Sequence, residues 1–296
     1  MALVAAAAGA TGTATLFFPE LGALAQDVLT RPRGKWASQP VRLVLTPSIT
    51  AVLGTVATIY LPYHVLTILL IVCASLAVIR LLRSAIAPAI SAGVLPLVLG
   101  LKSWLYPPGI AAGLIGLLAL LLVFRRYSAT DPQPPPQPDV DDILESAPRG
   151  NGWMVALLAF VALAGVAAQL TGLRFILFPP LIVVAYEMFG HPDTCPWAKR
   201  PVSLPLACGL TAVGGIALVK LFGPGPVAAA LGMAWGVILL RLFDVHMPPA
   251  LAVGLIPMVM NPPTWIYPGS VTLGTLALTG ASLLYNRFAR QRAAAP

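Results

Sequence analysis

Apolar runs follow one another along almost the whole chain, each closed by a short loop of Arg, Lys, Pro or Gly; VRLVLTPSITAVLGTVATIYL, residues 41–61, is typical. About 17 to 25 such residues cross about 30 Å of hydrocarbon as a helix. In lipid every backbone N–H and C=O must find a partner within the protein, which excludes open sheets. Composition agrees: 58% of the 296 residues are hydrophobic and 9% charged, against about 45 to 50% and 25% in soluble domains. An all-α membrane protein is predicted, with the lipid bilayer as its first partner.

The formal charge of +8 does not point to nucleic acid, because the basic residues lie in short loops between apolar runs and build no polar domain. They read as orientation signals. Cys73, Cys195 and Cys208 are an odd count without CxxC spacing, so neither a disulfide framework nor a metal site is expected. No cofactor motif, Walker A loop, nucleophile elbow or HExxH helix occurs, and enzymatic chemistry is not expected. The N-terminal MALVAAAAGATGTAT lacks a basic n-region, so a cleaved signal peptide is not expected either.

One polar stretch interrupts the pattern, YSATDPQPPPQPDVDDILESAPRGNG, residues 127–152. Its proline run and acidic cluster predict an extended, aqueous linker. It divides the chain into a first membrane unit, 1–126, and a second, 153–296. The two units repeat one another at an offset of 160, then 161 after one inserted residue. Pro32, Trp36, Pro40 and Val41 answer Pro192, Trp197, Pro201 and Val202; Arg80 answers Arg241; Pro88, Gly93 and Pro96 answer Pro249, Gly254 and Pro257; Trp104, Tyr106 and Pro107 answer Trp265, Tyr267 and Pro268. Shared Trp, Pro and Arg in one unbroken register indicate duplication.

Segments are predicted at 16–29, 41–61, 65–82, 86–101 and 109–124, after a stub at 2–12 too short to span, and at 153–170, 173–190, 202–222, 226–243, 248–260 and 269–286. Alternating back from the basic ends at Arg125-Arg126 and Arg287 puts every Lys and Arg except Lys102, Arg174 and Lys220 on one side. That side is cytoplasmic by the positive-inside rule, and with it the linker and the C-terminus. Six elements in each half, an even number counting the short stub, of which about five to six are membrane segments, make the pseudo-symmetric repeats run parallel, about an axis along the membrane normal. A multi-pass protein of a cell membrane follows, a bacterial inner membrane being the expected one, with room for a homo-oligomer.

Charges inside a bilayer are costly and usually pair. Asp27 and Glu187 are equivalent, as are Arg80 and Arg241, and all four share a depth. Two readings follow: structural ion pairs, Asp27 with Arg80 and Glu187 with Arg241, or arginines that fork planar oxyanions at the mouth of a pathway. Glu20 breaks the symmetry, facing Pro180 in the other half, and is a candidate proton acceptor or a vestibule acid. Asp244 and His246 precede Pro248 and Pro249 at a helix start, where free N–H groups carry partial positive charge; Pro88 opens the matching helix. Pro96 and Pro257 then interrupt these helices near mid-membrane. Paired broken segments point either to a transporter binding site or to kinks that serve packing. Trp104, Tyr106, Trp265 and Tyr267 read as interfacial anchors.

In order and spacing LFPPLIVVAYEMFG, HPDTCPWAKRPV, CGLTAVGGIALVKLFG, HMPPALAVG and LLYNRF resemble the HPP integral membrane proteins, and RSAIAPAISAG in the first half resembles the same motif more loosely. The chain is similar to a tandem, double-HPP protein. HMPPA inserts Met247 into the motif, and ALA stands in place of the usual AGA. The resemblance implies a helical membrane unit and a transporter or channel, with a small anion such as nitrite or nitrate as substrate. Arg80, Arg241, His246, Pro88 and Pro249 are then the substrate-binding candidates, and Glu20, Asp27, Glu187 and Asp244 the ion-pair or proton-coupling ones. A non-transporting scaffold or regulatory protein and a proton-coupled carrier are the alternatives.

Overall fold

A computed structural model describes residues 1–10, 16–127, 143–148, 150, 152–245 and 247–294. Among these the regular structure is all helical: α1 (Ala2–Ala10), α2 (Glu20–Thr30), α3 (Pro40–Tyr60), α4 (Val65–Leu81), α5 (Ala89–Leu99), α6 (Tyr106–Tyr127), α7 (Gly152–Thr171), α8 (Pro179–Gly190), α9 (Pro196–Lys199), α10 (Ser203–Phe222), α11 (Pro226–Leu242), α12 (Pro248–Leu255) and α13 (Ile266–Ala294), with 3-10 turns at Arg174–Leu177 and Ile256–Val259. Of the described helices, α3, α6, α7 and α10 are long and apolar enough to cross a membrane. Their outer faces expose Val41, Leu45, Leu120, Leu163 and Leu206, as lipid contact requires.

Prolines open α3, α8, α11 and α12, where the first turn has no use for the missing N–H and the fixed φ suits a helix. The segment expected at 173–190 is therefore two elements. Its chain breaks at Phe178, in extended backbone, before Pro179 starts α8. Helix α4 starts differently, with His64 Nδ1 accepting the Leu66 N–H at 3.2 Å.

Helices α5 and α12 are short and buried on every side, apolar all round as interior helices must be. At 11 residues, α5 rises only about 16 Å. Pro96 lies inside α5 and Pro257 in the 3-10 turn that follows α12, and a proline cannot donate to the carbonyl four residues earlier. For Pro96 that carbonyl belongs to Ala92, and for Pro257 to Val253. The Tyr106 hydroxyl donates to the first at 2.9 Å and the Tyr267 hydroxyl to the second at 2.7 Å. Both tyrosines are fully buried, whereas Trp104 and Trp265 are each 55% exposed. The aromatic quartet is thus split: the tryptophans face outward as expected of anchors, and the tyrosines serve the core.

Each short helix is also approached by glycine. A Cβ added to Gly54 of α3 would lie 1.8 Å from the Gly93 carbonyl oxygen, and one added to Gly215 of α10 would lie 2.2 Å from that of Gly254. Backbone meets backbone at both places, and no side chain fits between.

The two halves interleave. Helices α1 and α2 pack on α11 and α12, while α7 and α8 pack on α4 and α5. Phe17 shares an apolar cluster with Leu255 and Val259, and Val65, at the start of α4, abuts Gly165 of α7. The connection is not wholly aqueous either: in segment 143–148, Leu144 and Glu145 are 3% and 6% exposed, because the segment lies against the ends of α2 and α8. Arg125, expected only as an orientation signal, donates from Nε to the Pro32 carbonyl at 2.9 Å and from Nη2 to that of Ala37 at 2.9 Å, fixing the α2–α3 loop.

Tyr106→Phe leaves the Ala92 carbonyl buried without its donor and is expected to cost about 1–3 kcal/mol in thermal or denaturant unfolding. In a Pro96→Ala background, which restores an N–H to that carbonyl, the same substitution should cost clearly less; equal costs in both backgrounds would refute the pairing. Gly54→Ala is expected to lower stability by about 1–3 kcal/mol through overpacking, and Gly116→Ala, with open space around its Cβ position, to leave it unchanged.

Candidate functional site

The last turn of α2 places Arg31 four residues after Asp27, the spacing that stacks side chains on one helix face. Arg31 Nε donates to Asp27 Oδ1 at 2.9 Å, and Nη2 reaches both Asp27 Oδ1 and Glu145 Oε1. Side-chain exposure is 14% for Arg31, 1% for Asp27 and 4% for Glu145, so all three charges have left water and depend on each other. Neither Arg31 nor Glu145 stands out in the sequence. Arg31 looks like one loop cation among several, and Glu145 lies in a stretch expected to be aqueous.

The pairs expected from symmetry do not form. Asp27 is served by Arg31, its nearer cation, and not by Arg80. Arg80 instead turns toward the other half, its Cζ 5.6 Å from the centroid of the Trp153 ring, a cation–π distance. Glu187 is buried in the last turn of α8, while Arg241 is exposed at the end of α11. The two arginines therefore do not share a site.

Arg80 lines a cleft of about 250 Å³ with Lys35, Gln39, Arg83, Ser84, Glu145 and Tyr186. Three cations face one carboxylate there. The inner end of the cleft is the chain entering α5, held by three hydrogen bonds: Trp36 Nε1 donates to the Ala85 carbonyl at 2.9 Å, the Ala85 N–H to Gln39 Oε1 at 3.1 Å, and Thr46 Oγ1 to Ser84 Oγ at 2.9 Å. A larger groove, about 660 Å³, lies between α10 and α13 and is lined almost wholly by apolar residues.

From Ser84 a file of buried polar groups follows α5 inward. Thr50 Oγ1 donates to the Ala89 carbonyl at 2.6 Å, Ser91 Oγ to Glu20 Oε1, and Ser75 Oγ lies 2.8 Å from the position of a Cβ on Gly93. Glu20 is 2% exposed, and its second oxygen has no hydrogen-bond partner. Its hydrogen bond to Ser91 ties it to α5, and its own helix, α2, packs on α12. In the second half the positions answering Thr46, Ser75, Ser84, Ser91 and Glu20 are Ala207, Gly236, Val245, Ala252 and Pro180. Thr50 alone keeps its hydroxyl there, as Thr211, which is buried beside Gly254.

Pro88 and Pro249 are buried at the starts of α5 and α12. Asp244 is an exposed turn residue with φ 50°, as Arg83 is with φ 48°. Its carboxylate meets Arg200 at 3.5 Å, both side chains in solvent, so an intramembrane coupling role does not fit it. His246 lies outside the described residues. No cluster of three His, Cys, Asp or Glu able to hold a metal occurs among the described residues. Burial pushes the Cys195 thiol up, and Glu187 nearby adds to this, so it stays protonated.

This is a multi-pass helical membrane protein with two central proline-broken helices and a cationic cleft beside one of them. The family model for HPP, transmembrane region, matches residues 145–295, from Glu145 through α13, and the chain belongs to the HPP transmembrane family. Residues 1–144 fall outside that match. No curated protein and no solved structure matches the chain.

Arg31→Met is expected to destabilise the protein by about 3–5 kcal/mol in unfolding measurements, because it strips two buried carboxylates of the cation they share. Burial, reinforced by Lys35, holds His191 below its ordinary value of 6.5 even though the Ser146 carbonyl, 3.1 Å from its Nε2, works the other way. The unfolded chain therefore takes up a proton that the folded protein resists, and stability should fall as pH drops below 6.5. His191→Gln should flatten that part of the Tm-against-pH curve.

Proposed function

We propose that the protein is a transporter or channel for a small inorganic anion, with nitrite or nitrate as the first candidates, and that the two halves are duplicated units of which the first carries the path. The observation behind this reading is a three-cation cleft at the start of α5, with the buried hydroxyls of Thr50, Ser75 and Ser91 farther along that helix. Guanidinium groups match planar oxyanions with two parallel donors, and serine and threonine hydroxyls can donate to an anion that has shed its water. The positive-inside expectation puts the cleft on the cytoplasmic side. Membership of a transmembrane family fits a transport role but names no substrate.

Uptake of labelled nitrite and nitrate into proteoliposomes tests the proposal. Arg80→Ala is expected to lower the rate about tenfold, the effect of roughly 1.4 kcal/mol, and Ser91→Ala to lower it as well. Arg241→Ala, outside the cleft, should change little. Wild-type rates equal to those of empty vesicles across several anions would refute transport and favour a scaffold.

Glu20 favours a second feature of this reading, coupling to protons. An anion passing a buried carboxylate meets repulsion in a medium of low dielectric; a proton on Glu20 removes it. Uptake should then rise under an inward proton gradient, and Glu20→Gln should keep uptake while losing that rise. A gradient dependence unchanged in Glu20→Gln would rule coupling at this residue out.

A further inference from the structure

In the first half the Arg125 guanidinium closes the loop between α2 and α3, donating to the Pro32 carbonyl from Nε and to the Ala37 carbonyl from Nη2, both at 2.9 Å. The second half has the loop but not the arginine. Pro192 and Ala198 answer Pro32 and Ala37, and Asn286, a much shorter side chain, answers Arg125. These three residues line a cavity of about 660 Å³. Its acceptors are left over: Asn286 Oδ1 is buried with no hydrogen-bond partner, and among the described residues no hydrogen bond is made to the carbonyl of Pro192 or of Ala198.

Lys199, Arg287 and Asp193, all exposed, also line the cavity, and among the described residues none of them is in an ion pair. Leu283, Asn286 and Arg287 reach it from α13, while Thr272, Leu276 and Thr279 line the apolar groove between α13 and α10. Residues three and four apart stack on one helix face, so groove and cavity are two stretches of the same face. From Pro268 to Thr279 the groove follows α13 for about 16 Å, half of a hydrocarbon core of about 30 Å. That is the depth of one leaflet.

We propose that groove and cavity together bind one phospholipid with a primary-amine headgroup, of the phosphatidylethanolamine class. Its acyl chain lies between α10 and α13, its phosphate between Lys199 and Arg287, and its ammonium takes the place that the Arg125 guanidinium has in the first half. An ammonium has three N–H donors, and the Asn286 amide oxygen and the two loop carbonyls are three acceptors. Asp193 favours the ammonium and opposes a headgroup that is only anionic. Basic pockets at the cytoplasmic side of membrane helices bind phosphate headgroups, and the positive-inside rule puts Arg287 on that side. A water-soluble ligand leaves the groove unused, and a quaternary headgroup has no N–H to give. Lipid thus closes the second half as a side chain closes the first.

The full chain in detergent is titrated with phosphatidylethanolamine, phosphatidylcholine or phosphatidylglycerol of the same acyl chains, or with glycerophosphoethanolamine, the headgroup alone, and the Tm is followed. A ligand that binds only the folded protein raises Tm saturably. Phosphatidylethanolamine is expected to bind at least about tenfold more tightly than the other two lipids. Asn286→Arg, which supplies the guanidinium of the first half, should raise the lipid-free Tm and abolish that preference. Asn286→Leu, which removes the amide acceptor, should narrow it and carries the test if Asn286→Arg does not fold. Arg287→Gln should weaken all three lipids. Equal binding of phosphatidylethanolamine and phosphatidylcholine overturns the proposal, as does a preference that survives both Asn286 variants or an undiminished response in Arg287→Gln. Tightest binding of phosphatidylglycerol replaces it with an anionic-lipid pocket, and a response to glycerophosphoethanolamine as strong as to the lipid replaces it with a site for a soluble amine.

Discussion

Two carbonyl groups, those of Ala92 and Val253, set the terms for the rest of the structure. Pro96 and Pro257 deprive them of their helical donors in the middle of an apolar bundle, where an unpaired carbonyl costs about 1–3 kcal/mol. Water is not at hand in hydrocarbon, so a side chain must supply the hydrogen. Tyr106 and Tyr267 do so from the first turns of α6 and α13. That requirement fixes where the closing helix of each half begins, and how closely it lies against the short helix. The glycines complete the arrangement from the opposite side, since Gly54 and Gly215 bring α3 and α10 onto the same two backbones.

Helices as short as α5 and α12 cannot face lipid at their ends and must be enclosed. Each half encloses its own short helix only in part. The remaining cover is lent across, α7 and α8 to the first half, α1 and α2 to the second. The apolar clusters run through both halves for this reason. The matched residues 145–295 by themselves leave uncovered the faces of α11 and α12 on which α1 and α2 pack.

Much of this was legible in the sequence, and the reasons for the misses are physical. Hydropathy and proline marked the helices because lipid leaves so few alternatives; α3, α4, α10 and α11 lie within a residue or two of their expected bounds. The broken helices were legible from Pro96 and Pro257. Their tyrosines were not read as donors, because Tyr near a segment end suits an interface equally well, and only the distance to a carbonyl decides between the two. Pairing charges by symmetry failed at Asp27 because a cation four residues away on the same helix outcompetes one on another helix. Glu145 was hidden by its company of prolines and acids. The polar file along α5 could have been found by comparing polar residues across the two registers, position by position, and not only the residues they share.

That comparison also turns the emphasis around. The motif-like stretch with Asp244 and His246 lies in the second half, but the described chemistry gathers in the first. Thr46, Ser75, Ser84, Ser91 and Glu20 surround α5, and Ala207, Gly236, Val245, Ala252 and Pro180 hold the matching places around α12. Two short helices built on the same backbone plan give the bundle its balanced packing, and balance needs both. A second polar set around α12 would add buried polar groups that must each be satisfied. The same backbone contacts recur at Gly54 and Gly215 and at Tyr106 and Tyr267, while the polar side chains around α5 differ from their counterparts around α12. The position of Glu145 follows the same logic: the chain that joins the halves passes the end of the bundle that carries the cleft, and it puts its buried carboxylate on the side where the cations are.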